Sequence, residues 1–348
     1  MSQPIHPPNR FGQRGLSVVE IMVALVISLV LLAGVYKVYL GSKQSYRLTE
    51  GEARLQENGR FAMYFLTRGI RGAGYIGCAN LDVVQPNIIV TNPPTDLIFN
   101  TASVIRGYDS GTWPADFPNT PTNLVSGNSA ILVRSASPAS TQLSTKMAPA
   151  NTSVLVVGNP EGWKAGDYLF VTDCAHADIF EATGVSSGSG TTTVSYGKSV
   201  NDPSRLSTIY AVGSQMMAYR SHLFYLGKSS NGTGDSLYEV SGGTPEELVD
   251  NVQAMSALYG VDTDGDKAAN LYDSTAQVNA IVPATNGWPK VVSVRVSLVL
   301  RSPDDHVVAR PQSYTYYDAS QTPTTKVAPD HRLYAVFNDT ITLRNRTQ

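Results

Sequence analysis

Charge is scarce in this sequence. Asp, Glu, Lys and Arg make up 16% of the 348 residues, against roughly 25% in an average soluble protein. The formal net charge is only -2, and without a basic excess the composition argues against strong nucleic-acid binding. Cysteine is scarcer still: Cys78 and Cys174 stand alone, too few for a metal cluster or a disulfide-dense scaffold but enough for one bridge. There is no P-loop, so the usual phosphate cradle of nucleotide-binding enzymes is missing. His6, His176, His222, His306 and His331 are scattered without ligand spacing. No enzyme is legible. Gly (29) and Pro (20) are near average abundance, which fits a turn-rich globular chain and not a disordered or collagen-like one.

What the sequence does have is one long apolar run. Residues 1–15, MSQPIHPPNRFGQRG, carry Arg10 and Arg14 and no acid. From Leu16 to Tyr36 the chain reads LSVVEIMVALVISLVLLAGVY, with Glu20 its single ionisable residue. As a helix this stretch would be about 31 Å long, enough to cross a bilayer core of roughly 30 Å. A secretory signal peptide would have a shorter apolar stretch and an A-x-A-like cleavage site after it. A plain anchor accounts for the length and for the preceding arginines, which would stay cytoplasmic. It leaves Glu20 unexplained, because a carboxylate within such a segment is costly and marks function by default.

Gly15, Leu16 and Glu20 follow one another in the order glycine, hydrophobic residue, three residues, glutamate, between a basic leader and the apolar run. This pattern resembles the class III signal of type IV prepilins and of the related pseudopilins of type II secretion. The resemblance implies cleavage by a prepilin peptidase between Gly15 and Leu16 and N-methylation of Leu16. It also gives Glu20 an assembly role, in which its carboxylate pairs with the α-amino group of a neighbouring subunit. Many members of those families carry Phe where this chain has Leu16.

Beyond the run, Leu48, Leu55 and Ala62 lie seven apart and Leu66 and Ile70 continue the face in steps of four. Charge lies on the other side, as in an amphipathic helix. The spacing predicts one long helix over about 17–70, with Gly41, Gly51, Gly59 and Gly69 either allowing it to bend or marking breaks. The remainder reads as β: short β-favouring runs such as DVVQPNIIV, SAILVRS, TSVLVVG, DYLFVTD and QMMAYRSHLFYLG alternate with turn residues. In KVVSVRVSLVLRS, Val292, Val294, Val296, Leu298 and Leu300 alternate with Ser293, Arg295, Ser297 and Val299, which predicts one buried and one mostly wet face. Residues 100–128 read as a long surface loop. The expected class is α+β, a pilin-like stalk helix on a large, mainly antiparallel β head. The expected segments are 1–15 as leader, 16–36 as membrane or filament-core helix, 37–72 as its amphipathic half, and 73–348 as the head, one sheet system or two.

Cys78 and Cys174 are expected to bridge if the head lies in an oxidising compartment, the other reading being two buried thiols. VTDCAHADIF places His176 near Cys174, but a structural bridge explains that cysteine better than a nucleophile does. In YGVDTDGDKAANLYDS, Asp262, Asp264, Asp266, Asn270 and Asp273 fall at positions one, three, five, nine and twelve. That is the ligand spacing of a calcium loop, although Lys267 stands where its turn glycine belongs. The other reading is a solvated polar turn.

Several stretches, QENGRFAMYFLTRGIRGAGYIGC, VTDCAHADIFEATG, YGVDTDGD with WPKVVSVRVSLVLRS, and the closing ITLRNR, resemble the PilW family of minor pilins. The resemblance implies a low-abundance subunit that primes type IV pilus assembly and joins other minor pilins and a PilY-type adhesin in a tip complex. That complex would support twitching, adhesion or DNA uptake. Further implied partners are the major pilin, the prepilin peptidase and the inner-membrane assembly platform. Implied locations are the inner membrane, single-pass with a periplasmic head, and then the extracellular pilus tip. The alternatives are a large minor pseudopilin of a type II secretion tip and, in another class, a membrane-anchored binding module or enzyme.

Overall fold

The computed structural model describes residues 15, 17–94, 97–109, 121–147, 152–241, 243–281, 287–318 and 322–347. The chain forms two compact units, Met1–Glu50 and Gly51–Gln348. One helix, α1 (Val18–Arg71, 54 residues), runs through both. It begins at Ser17, whose Oγ accepts the backbone N–H of Glu20 at 3.2 Å, satisfying one of the helix's orphan donors. It ends where Gly72 and Ala73 donate to the carbonyls of Gly69 and Ile70. Gly74 then turns the chain with φ of +73°, a conformation open to glycine at no steric cost.

In the first unit the helix is apolar as far as Tyr36 and exposed from Val18 to Arg47, with Leu25 at 56% and Leu32 at 65%. It is long and apolar enough to cross a membrane. In the second unit the same helix buries Gly51, Leu55, Gly59, Ala62, Leu66 and Ile70, the steps of three and four expected of one helix face.

Among the described residues seventeen strands follow in the second unit, with a short helix, α2 (Thr275–Ala280), among them. The first eight are β1 (Asn87–Ile88), β2 (Ile105–Tyr108), β3 (Ala130–Gln142), β4 (Ser153–Val157), β5 (Tyr168–Thr172), β6 (Ala177–Glu181), β7 (Gly184–Gly188) and β8 (Thr191–Ser195). Then come β9 (Gln215–Lys228), β10 (Asp235–Ser241), β11 (Thr244–Asp250), β12 (Val252–Val261) and β13 (Leu271–Asp273). The last four are β14 (Val291–Arg301), β15 (Ser313–Tyr317), β16 (Pro323–Val327) and β17 (Tyr334–Thr342). Pairing is antiparallel except between β1 and β6.

The eight-stranded sheet runs β1-β6-β5-β9-β10-β11, with β3 also on β9 and β2 on β3. The long strand β9 organises it, pairing with β5 through Gln215–Ala218 and with β10 through His222–Lys228. Strand β3 slips register between Ala136 and Ser140. Pro138 lies in that bulge, a place where its missing N–H costs no ladder bond. A second sheet, β13-β12-β14-β17, carries the hairpin β15–β16 beside it, and β4-β8-β7 form a small third sheet. The largest core joins the Leu55–Ile70 face of α1 to Phe224 and Leu226 of the first sheet and to Val294, Val296, Leu298 and Ile341 of the second.

Two helix glycines are seats for aromatic rings. The ring of Phe337 occupies the space a Cβ at Gly59 would need. A Cβ at Gly69 would lie 2.6 Å from Cε2 of Phe224. The helix is continuous through both, so these glycines mark close packing and not breaks.

Three local expectations are corrected. Residues 100–128 are not one loop: β2 lies within them and pairs with β3, because Ile105 and Gly107 face inward while Arg106 and Tyr108 lie at the alternate positions. Residues 110–120 of that stretch lie outside the described residues. In DVVQPNIIV only Asn87 and Ile88 form a strand, since Pro86 precedes them and cannot donate to a ladder. The face of β14 expected to be wet is largely covered, with Arg295 its exposed member. The hairpin β15–β16 is the reason, because Tyr316 packs with Val299 and Tyr334 there.

Candidate functional site

Gly15 is exposed, and Leu16, with the rest of the expected leader, lies outside the described residues. Glu20 occupies the first turn of α1. Ser17-Val18-Val19-Glu20 is the S-x-x-E spacing of a capping box, a signal at this terminus that sequence reasoning passed over. The structure shows its backbone half, the Glu20 N–H to Ser17 Oγ bond. An acid in the first helical turn also complements the helix dipole. Glu20 is exposed, so its carboxylate is presented outward by the one helix turn that orients it.

Cys78 and Cys174 are joined in a disulfide with Cα atoms 5.0 Å apart. Cys78 follows the glycine-rich end of α1, where its N–H donates to Gln215 Oε1 at 3.1 Å. Cys174 sits with φ of +74° in the turn from β5 to β6. That turn is tied by Asp173, which accepts the N–H groups of Ala175 at 3.0 Å and His176 at 2.7 Å. Burial alone would raise the Asp173 carboxyl, but these bonds and the His176 side chain hold it below its ordinary value. The bridge thus pins the segment after the helix to the eight-stranded sheet. It also consumes the only thiol near His176.

The aspartates sit in the hairpin loop from β12 to β13. Carboxylate oxygens of Asp262, Asp264 and Asp266 lie within 4.8 Å of one another. Asp262 accepts backbone N–H groups from Gly265 at 2.6 Å, Lys267 at 2.9 Å and Asp264 at 3.1 Å. The Gly265 bond is the largest influence on its carboxyl, which is held below the ordinary range. Asn270 closes the loop, donating from Nδ2 to Asp264 Oδ2 at 3.2 Å and accepting from the Thr263 N–H at 2.7 Å. Asp273 is not gathered in. It pairs with Tyr259 inside the β12–β13 ladder, and burial raises its carboxyl above the ordinary value. Three aspartates therefore fit a hard divalent cation, and the five-ligand set expected from spacing does not form. The spacing assumed a helix-flanked loop, whereas here a β-hairpin carries position twelve away.

The comparisons address the class first. Residues 10–36 match the prokaryotic N-terminal methylation motif, which covers Gly15, Leu16 and Glu20 and defines a pilin-type N-terminus. Residues 223–345, from β9 to the C-terminal turn, match the family model of type IV pilus-assembly protein W, PilW. The two matches are those of a PilW-family pilin and support a type IV pilus minor pilin. Pilins of that family are structural proteins. YGVDTDGD, WPKVVSVRVSLVLRS and all but the last residue of ITLRNR fall within the matched regions; QENGRFAMYFLTRGIRGAGYIGC and VTDCAHADIFEATG fall outside both. Comparison with curated proteins and with solved structures finds no match.

Proposed function

We propose that this protein is a minor pilin that primes type IV pilus assembly and takes its place in the pilus tip complex. In this reading prepilin peptidase cuts between Gly15 and Leu16, and Leu16 is methylated. The 16–36 segment sits in the inner membrane with the head in the periplasm until the assembly platform moves the subunit into the filament. Other minor pilins, the major pilin and a PilY-type adhesin are its partners, and twitching, adhesion or DNA uptake is the outcome. The observation that carries the proposal is the methylation motif lying on a helix that is apolar as far as Tyr36 and exposed from Val18 to Arg47. Burying a lone carboxylate among such helices is costly unless it is paired, and a neighbour's α-amino group at residue 16 would supply the pair. Glu20→Ala is expected to leave peptidase cleavage intact and remove the protein from sheared pili. Normal incorporation of this variant, scored by immunoblot, would refute the pairing.

We also propose that Asp262, Asp264 and Asp266 hold a calcium ion, which would relieve the repulsion of three converging carboxylates and accept their hard oxygens. Millimolar calcium is then expected to raise the melting temperature of the full chain, and Asp264→Ala to abolish the rise. A calcium response that survives the substitution would place the ion elsewhere.

A further inference from the structure

The outer face of the second sheet carries a groove of about 450 Å³, whose lining includes neither Glu20 nor the aspartate loop. Strand register builds it in rows. Ser297 lies between Ser256 on β12 and Asn338 on β17, and the next row sets Arg295 between Leu258 and Thr340. On one side the hairpin β15–β16 raises a wall ending in Tyr317, which is 46% exposed. On the other, the Arg295 guanidinium stacks 3.9 Å above the Tyr272 ring. Small side chains between two tall walls leave a recessed polar floor.

Two groups in this groove are unspent. Ser297 is 4% exposed, yet among the described residues its Oγ has no hydrogen-bond partner. A buried hydroxyl without a partner is rare and calls for a ligand or other explanation. The Ser256 hydroxyl, by contrast, donates to the Tyr317 carbonyl. Arg295 is fixed by its ring stack, and none of the ion pairs or hydrogen bonds among the described residues occupies its N–H groups. The lining residues include one cation, Arg295, and one acid, Asp339, so they carry no net formal charge to attract an anion or a nucleic acid.

Fixed donors, fixed acceptors, hydroxyls and amides on the floor, and an aromatic ring at the wall suit a ligand with many hydroxyls and one flat apolar face. We propose that this groove is a binding site for a neutral saccharide. The proposal goes beyond pilus assembly and does not depend on it.

Full-length protein in a sugar-free detergent, titrated by calorimetry with chitobiose, cellobiose, lactose and maltose, tests it. At least one disaccharide should bind saturably in the millimolar range or tighter. Ser297→Ala, Arg295→Ala and Tyr317→Ala should each weaken that binding about tenfold, while Val83→Ala, a distant exposed position, should not. Ser297→Ala removes a hydroxyl without a partner, so its melting temperature should hold and lost binding is then not lost folding. Absence of binding by all four sugars, or binding that the groove variants leave intact, overturns the proposal. It is also overturned if the groove takes an extended peptide along the edge strand β17, shown by exchange protection of the β17 amides that Ser297→Ala leaves unchanged.

Discussion

From Val18 to Arg47 every residue of α1 is exposed, whereas from Gly51 to Ile70 a residue is buried at every third or fourth position. Both stretches are helix, and both are rich enough in apolar residues to form a core. The difference lies in where the partner is. The second stretch finds its partner in its own chain, against Phe224, Val296 and Phe337. The first leaves Leu25, Leu29, Leu31 and Leu32 more than half exposed, and each such side chain forgoes about 1.5–3 kcal/mol until it is covered. Its cover must come from another molecule, a bilayer or neighbouring helices. One helix therefore does two jobs, and substitutions along it should separate them.

The largest effect is expected at Leu66, which is fully buried. Leu66→Ala should destabilise the folded protein by about 2–5 kcal/mol, read from urea unfolding. Gly59→Ala should act in the direction opposite to helix propensity. In an exposed helix alanine would stabilise by up to about 1 kcal/mol, but here it meets Phe337. Overpacking of this kind costs about 1–3 kcal/mol, and Phe337→Leu in the same chain should recover much of it. If Gly59→Ala is stabilising, the close contact is not what selects glycine there.

A smaller, pH-dependent effect belongs to the head alone. Burial would raise the Glu247 carboxyl, but hydrogen bonds from Ser229, Ser230 and Ser236 outweigh it and hold the carboxyl at about 2, below its ordinary 4.5. A depressed folded value means the contribution is complete above about 4.5 and is lost as pH falls toward 2. Glu247→Gln should flatten the fall in melting temperature across that window; an unchanged acid limb would remove Glu247 from the account. The smallest effect is expected at the other end of the helix. Val26→Ala should change unfolding of the head by no more than about 0.5 kcal/mol, since Val26 is 61% exposed. A large loss there would mean that the two stretches are not separate.

Much of this was legible in sequence because it rests on periodicity or on composition. Leu55, Ala62, Leu66 and Ile70 mark the buried helix face by spacing alone, and the helix observed, Val18–Arg71, nearly coincides with the expected 17–70. The strands β3, β5, β9, β10 and β14 fall on β-favouring runs bounded by turn residues. Strands β11 and β12 were passed over, because TPEELVD is dominated by polar residues and SALYG by small ones. Their strand character comes from pairing with β10 and β14. Asp178 is a similar case. In sequence it is one polar residue of a strand, but in the fold it is fully buried and accepts from Tyr210 Oη and Ser207 Oγ, each at 2.7 Å.

By itself the sequence determined the apolar helix, its lone acid, the α+β class and the availability of a single bridge. Each of these depends on residue type and short-range spacing, which a one-dimensional pattern carries in full. Tertiary structure alone decided that Asp273 leaves the aspartate loop, that Phe337 and Phe224 sit on helix glycines, and that the Ser297 hydroxyl lies in a groove without a partner among the described residues. Those outcomes depend on which distant strands meet and in what register, and in a β-rich head a shift of one residue turns every side chain to the other face.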